Sequence, residues 1–372
     1  MKKGIIYRVT EGPFRYQAWP SVCQDEKGVL YAFCSGHRSS HVCPFGKNLM
    51  FISRDGGDSW SAPQIVNDTW LDDRDAGITY LGNGKMLLTY FHHPMEIYAT
   101  MWRSWAVDEA DECYRPMING ALDAYTYFGA EQNTPGSFIK ITDDYGNTWS
   151  DAIKVPITAP HGPILTPDGR LLYLGKEFSG RIKRYTEQED DDDPVAPEER
   201  GNIFLYESFD GGRNWEKLSR IDMPEGCTEK NIHEPHIIQL TNGELIAAIR
   251  AQGEPVYHGF TMYFASSTDG GRTFSKPWPS QISGSPPHLM LLKDDGVLCS
   301  YGRRETPFGI RAAVSYDGCR SFGEEIILSE ASCDDLGYPA TVQLSDGSLV
   351  TVYYQRYGSD NRTSIMYTKW KL

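Results

Sequence analysis

Long hydrophobic runs are missing from this chain of 372 residues. No stretch approaches the ~20 apolar residues of a membrane-spanning helix, so no membrane partner is expected. The N-terminus, Met1-Lys2-Lys3-Gly4-Ile5-Ile6-Tyr7-Arg8, contains no apolar run of signal-peptide length, and a cytoplasmic location is the expectation. Positive charge is also scarce: 36 Lys and Arg against 50 Asp and Glu leave a net charge of −14. A nucleic-acid binder usually shows a basic footprint, so no such partner is expected. The eight cysteines form no C-x-x-C pair, and a chain of this size has no need of disulfides. Free thiols are therefore expected. The histidines are spread along the chain without a metal-site motif, so neither a metal nor a cofactor is expected.

What is present is a short pattern, repeated five times. It reads Ser53-Arg54-Asp55-Gly56-Gly57-Asp58-Ser59-Trp60 at its first occurrence and Thr142-Asp143-Asp144-Tyr145-Gly146-Asn147-Thr148-Trp149 at its second. Copies follow at Ser208–Trp215, Ser267–Phe274 and Ser315–Phe322. The common form is S/T-x-D-x-G-x-S/T/N-aromatic. Asp can accept from nearby backbone N–H groups and Gly tolerates positive φ, so each copy is a hairpin turn. Strand-like runs flank every copy, and self-similarity at this period points to a propeller.

Upstream of each turn lie two further strands joined by a D-G, N-G or K-G turn. Six such pairs exist, the last being Tyr338–Leu344 with Leu349–Tyr354. Six pairs against five boxes leave the final blade one strand short, and Gly4–Val9 can supply it. The expected fold is all-β: one six-bladed β-propeller over residues 1–372, with four-stranded antiparallel blades and a ring closed by the N-terminal strand. Insertions at about 95–135 and 177–200 interrupt the rhythm, and both leave from the same face. Loops gathered on one face of a scaffold commonly shape a binding site.

Aligning the blades on their turns shows what each presents at that face. The inner-strand starts offer Trp19, Asp73 to Asp75, His161, Glu234, His288 and Tyr338. The second-strand ends offer Arg38, Arg250, Arg303, Arg304 and Arg356. Several cations around one axis repel one another unless an anion lies between them. Arg forks suit a carboxylate, so the expected ligand is an acidic glycan or small acidic sugar.

The repeated box resembles the Asp-box of the sialidase (neuraminidase) superfamily, which implies structural boxes on the blade edges and an active centre on the axis. The segment Asn231-Ile232-His233-Glu234-Pro235-His236, followed by Arg250, is similar to the family's fourth-blade segment with its base and a carboxylate-binding Arg. Gly337-Tyr338-Pro339-Ala340-Thr341 resembles the segment of the nucleophilic Tyr. By the same resemblance Arg311 is the best match to the fifth-blade Arg, with Arg303 or Arg304 as runner-up, and Arg38 matches the Arg after the first hairpin. The chain departs from the family in two places. Tyr16-Gln17-Ala18-Trp19-Pro20 lacks the Arg that stands two before the proline, and no Asp follows Arg38 before Asp55. His41, Asp73 or Asp75 is left to supply the proton. The resemblance implies an exo-acting hydrolase for sialic acid or a related ulosonic acid. Hydrolysis or elimination on a uronic-acid glycan and a non-catalytic glycan-binding propeller remain as alternatives.

Overall fold

The computed structural model describes residues 1–178, 202–256 and 259–372. Six antiparallel sheets stand around a common axis, each forming one blade. The inner strands are Tyr16–Gln24, Arg74–Gly82, Ile232–Gln239, Pro287–Leu291 and Gly337–Gln343, with blade three's inner strand broken into Ile157–Thr158 and Ile164–Leu165. Ring closure occurs as expected. Lys2–Tyr7 pairs antiparallel with Thr363–Trp370 and becomes the outer strand of blade six. This joins the two ends of the chain in one sheet and pairs an edge that would otherwise be exposed.

The six cores lie between blades rather than within them. Leu245-Ile246-Ala247-Ala248-Ile249, the second strand of blade four, is fully buried on both faces. Alternation by two sends Leu245, Ala247 and Ile249 into a cluster shared with blade three, while Ile246 and Ala248 enter one shared with blade five. A strand sandwiched in this way reads as a continuous apolar run, and each buried Leu or Ile contributes about 1.5–3 kcal/mol.

The boxes lock these contacts. Asp55 accepts from Ser59 N–H at 2.9 Å and from the hydroxyls of Ser53 and Ser59 at 2.8 and 2.5 Å. In the boxes of blades three and four the second glycine abuts the preceding blade. A Cβ on Gly212 would meet Leu87 Cδ1 at 2.4 Å, and one on Gly271 would meet Leu205 Cδ2 at 2.6 Å. Both glycines have φ of +93°, a region that side chains rarely adopt. Blade five places Cys319 there instead, at φ 63°.

The insertion after blade two's second strand is helical, which its aromatic-rich sequence did not announce. Helices Met95–Ala99, Arg103–Asp108 and Arg115–Ala124 bury Tyr98, Ala106, Ile118 and Leu122 in a separate small core. Among the described residues no helix is long and apolar enough to cross a membrane. The second expected insertion, at about 177–200, lies outside the described residues from 179 onward. All eight cysteines are free thiols.

Candidate active site

The inner strands of blades one, two, four and six each carry one extra residue near their start. The register slips between Ala18 and Ser21, Arg74 and Gly77, Ile232 and Pro235, and Gly337 and Ala340. A bulge of this kind re-aims a side chain. In three of the four bulges the extra residue is held at positive φ without being glycine: Trp19 at 52°, Asp75 at 52° and Tyr338 at 49°. Such backbone costs about 1–3 kcal/mol per residue and gathers at functional sites. Proline follows Trp19, Glu234 and Tyr338. It has no N–H to lose from the ladder and is tolerated at bulges.

The bulges bring together Tyr338 of blade six and Glu234 of blade four. The Tyr338 hydroxyl donates to Glu234 Oε1, and Arg250 Nη1 donates to Glu234 Oε2 and, at 3.2 Å, to Tyr338 Oη. Gln252 Oε1 accepts from Arg250 Nη2 at 2.6 Å and Nε at 3.1 Å, fixing the fork. Arg304 lies over the Tyr338 ring at 5.7 Å and donates to Tyr354 Oη at 3.3 Å, while its buried Nε has no partner among the described residues.

Two carboxyls in this space are driven apart in acidity. Burial pushes Glu234 up, but Arg250, His233 and the Tyr338 hydroxyl together outweigh it and hold the group down at about 2. Asp75 is raised to about 7, chiefly by burial and further by the negative charge of Glu234, against the pull of Arg74 and Arg38. Tyr338 is pushed well above its ordinary value by burial and by Glu234. The site therefore holds a neutral phenol hydrogen-bonded to an ionised carboxylate. This is the arrangement in which a base activates a poor nucleophile.

A cavity of about 500 Å³ opens beside this group, lined by Tyr16, His41, Trp105, Arg304, Asp335 and Arg356 among others. The His41 ring is stacked on Trp105, with centroids 5.9 Å apart and planes at 7°, and stands edge-on to Trp19 at 5.1 Å. The helical insertion thus supplies part of the cavity wall through Trp105 and Glu109.

Several residues expected here are placed elsewhere. Arg311 sits on the third strand of blade five, 1 % exposed, and is consumed by Glu325 and the carbonyls of Pro307, Ile310 and Ser329. Arg304 takes the place expected of it. Arg38 is fully buried in an ion pair with Asp72 and bonds Ser35 Oγ and the His41 carbonyl, leaving it no fork for a ligand. It and Arg74 lie against the Trp19 ring at 4.6 and 4.1 Å, so cationic charge sits behind Trp19, where the resemblance led one to look for an Arg. Asp73 accepts from His92 Nε2 at 2.6 Å and from Thr69 Oγ1 and N, a structural set that gives it no free oxygen for proton transfer.

His161 and His288, expected as substrate contacts, instead fill the axis together with His236. Their ring centroids are 4.7–5.6 Å apart. His236 Nδ1 accepts from the Leu289 N–H at 3.0 Å and His288 Nδ1 from the Thr341 N–H at 3.4 Å, each tying its blade to the next. Burial holds all three neutral, His236 at about 4 and the others well below the usual range. No group of His, Cys, Asp or Glu among the described residues is arranged to hold a metal ion. Sequence reasoning missed Tyr16, Trp105 and Asp335. The acidic pair Asp334-Asp335, just ahead of Tyr338, was the one available signal.

A family model described as BNR repeat-like domain matches residues 112–351. No curated protein sequence matches. Among solved structures, a protein of unknown function from Dyadobacter fermentans superimposes with a TM-score of 0.74 at 20 % identity, covering 100 % of this chain and 98 % of its own. The intramolecular trans-sialidase from Ruminococcus gnavus, solved with oseltamivir carboxylate, gives 0.63 at 15 % identity over 97 % and 95 % of the two chains. The α-L-arabinanase of Penicillium chrysogenum gives 0.60 at 14 % identity over 99 % and 98 %. At these identities the likeness establishes a shared fold, that of sialidases and other propeller glycosidases.

Proposed function

The chain belongs to the BNR repeat-like domain family, and from that premise we propose that it is a divergent member of the sialidase superfamily and a glycoside hydrolase releasing a terminal acidic sugar, sialic acid or a related ulosonic acid. The observation that carries this reading is the shared bonding of Tyr338, Glu234 and Arg250. Tyr338 Oη attacks the anomeric carbon and passes its proton to Glu234. A phenolic nucleophile suits an anionic sugar, which would repel a carboxylate one, and sialidases with a Tyr nucleophile are a known departure from two-carboxylate glycosidases. Arg250 and Arg304 hold the substrate carboxylate. His41 or Asp75 supplies the proton to the leaving oxygen, and a base or acid so placed contributes ~10²–10⁴ in rate.

The absence of the family's first Arg, with Ala18 standing two before Pro20, favours a second reading. A uronic acid carries its carboxylate on a different carbon from an ulosonic acid, and a site with two forks rather than three would accept it. A non-catalytic lectin has no use for a tyrosine held against an ionised base.

The test is release of a fluorogenic aglycone from a panel of acidic sugars. The wild type is expected to turn over at least one of them, and Tyr338→Phe is expected to lose about 10³-fold or more with its fold intact. Equal activity in Tyr338→Phe would remove the nucleophile from this scheme. A turnover product bearing a new double bond would point to the uronic-acid reading.

A further inference from the structure

We propose that His41 is the proton donor to the leaving group and that Tyr16 and Asp335, which nothing in the family pattern marks, position it and sustain its charge. The inference rests on the hydrolase reading above.

The geometry fixes the tautomer. Tyr16 Oη lies 2.8 Å from Asp335 Oδ1 and 2.9 Å from His41 Nδ1. An ionised carboxylate only accepts, so the single hydroxyl hydrogen of Tyr16 goes to Asp335. The Tyr16 lone pair then accepts from His41 Nδ1–H. That leaves Nε2 as the atom that exchanges a proton. Asp335 Oδ1 is itself 3.8 Å from His41 Nδ1, near enough to favour an imidazolium. Trp105 and Trp19 hold the ring on its face and edge.

The position of His41 also fits the task. An exo-acting enzyme must place the departing sugar in open space, and His41 lines the cavity with a side chain 31 % exposed. Asp75 is 7 % exposed and interacts with Glu234 and Arg74 at the foot of the site. The Trp19 ring is shared: Tyr338 meets it at 6.4 Å and His41 at 5.1 Å. Nucleophile and donor thus flank one aromatic plate.

The charges facing His41 have opposing effects. Burial disfavours the imidazolium most, Asp335 favours it, Arg74 and Arg38 beneath it disfavour it further, and the balance holds the His41 pKa below the ordinary imidazole value. Across the cavity Arg304, Arg356 and Arg362 oppose Glu109 and Asp334.

Protons and bonds balance over two steps. As Tyr338 Oη bonds the anomeric carbon, its proton passes to Glu234, the glycosidic C–O bond breaks, and His41 Nε2–H protonates the departing oxygen. Neutral His41 next takes a proton from water. The resulting oxygen attacks the anomeric carbon, and the tyrosyl oxygen leaves with the proton returned by Glu234.

Two substrates of one acidic sugar separate the roles: a 4-methylumbelliferyl glycoside, which needs little help in leaving, and a glycoside of lactose, which needs a proton. His41→Gln is expected to lose ~10²–10³-fold on the lactose glycoside and under about 10-fold on the other. Asp335→Asn is expected to show a smaller loss of the same selectivity. Its alkaline limb of kcat/KM should move to lower pH, and Asp335→Glu should restore it. Tyr16→Phe should resemble Asp335→Asn. Equal losses on both substrates, an unmoved limb in Asp335→Asn, or a leaving-group-dependent loss in Asp75→Asn overturns the proposal. Full activity in Tyr338→Phe on both substrates instead overturns the hydrolase reading beneath it.

Discussion

Asp75→Asn is expected to make the protein more stable at neutral pH and no more stable in acid. Asp75 is a carboxyl at the start of blade two's inner strand, 7 % exposed and at φ 52°. Burial, with Glu234 adding to it, raises its pKa from 3.8 to about 7 in the folded state. The sign follows from linkage. Between about pH 4 and 7 the folded chain holds a proton that the unfolded chain has released, so stability falls as pH rises through that window. About three pH units at 1.36 kcal/mol each set a ceiling near ~4 kcal/mol above pH 7. Asparagine has the same shape, no charge, and tolerance for left-handed backbone, so it removes the penalty without new strain. An unfolding entropy of ~2.1 cal/mol/K per residue gives ~0.8 kcal/mol/K for a chain of this length, so the ceiling is about 5 °C in Tm. Calorimetry at pH 4, 6 and 8 should show a Tm difference near zero, then intermediate, then largest. A variant that melts below the wild type at pH 8, or that differs equally at pH 4 and 8, refutes the reasoning.

Two arginine variants test the proposed division between a fork that meets substrate and one that does not. Arg304→Met should lower kcat/KM for an acidic sugar ~10–100-fold, the worth of a charge-assisted hydrogen bond, with little change in Tm. Arg311→Met takes the guanidinium from the carbonyls of Pro307, Ile310 and Ser329 and from Glu325, which keeps Tyr301 and Arg303 as partners. It should cost about 2–3 kcal/mol in denaturant unfolding while KM stays unchanged; a raised KM would return Arg311 to the site. Gly271→Ala drives a Cβ to 2.6 Å from Leu205 Cδ2 at φ +93°. It should destabilise by about 1–3 kcal/mol and leave kcat/KM per folded molecule unaltered, and a selective loss of activity would contradict a structural role for the boxes.

The ring was legible because its signals are local. A D-G or N-G turn and a box each occupy fewer than ten residues, and their physics is contained in them. Tyr338, Glu234 and Arg250 were legible because all three stand at strand positions countable from those turns. Arg311 was misplaced for a reason that counting does not reach. It stands on the third strand, two strands out from the inner one, where it pairs with Tyr301 of the second, and its side chain ends inside the blade. Arg38 was misjudged because its neutralising partner, Asp72, arrives from the next blade, and no local pattern links them. The helices after Met95 were missed because their apolar residues serve a small core of their own rather than one long amphipathic stripe.

The division of labour around the axis explains why the same inner-strand position gives chemistry in some blades and packing in others. Blades three, four and five present His161, His236 and His288, whose neutral rings pack against one another, His236 stacked on His288 and His161 edge-on to both. Blades six, one and two, adjacent across the ring closure, present Tyr338, Trp19 and Asp75 on strained bulges instead. Glycine would relieve the backbone at all three positions and is used at none of them. In the boxes the same left-handed backbone is given to glycine at eight positions of ten, Tyr145 and Cys319 being the other two. Where only packing is at stake, this chain mostly chooses the unstrained residue. The three exceptions on the axis are therefore set by what their side chains do, and they cluster on the side where Glu234 and Arg250 reach across from blade four.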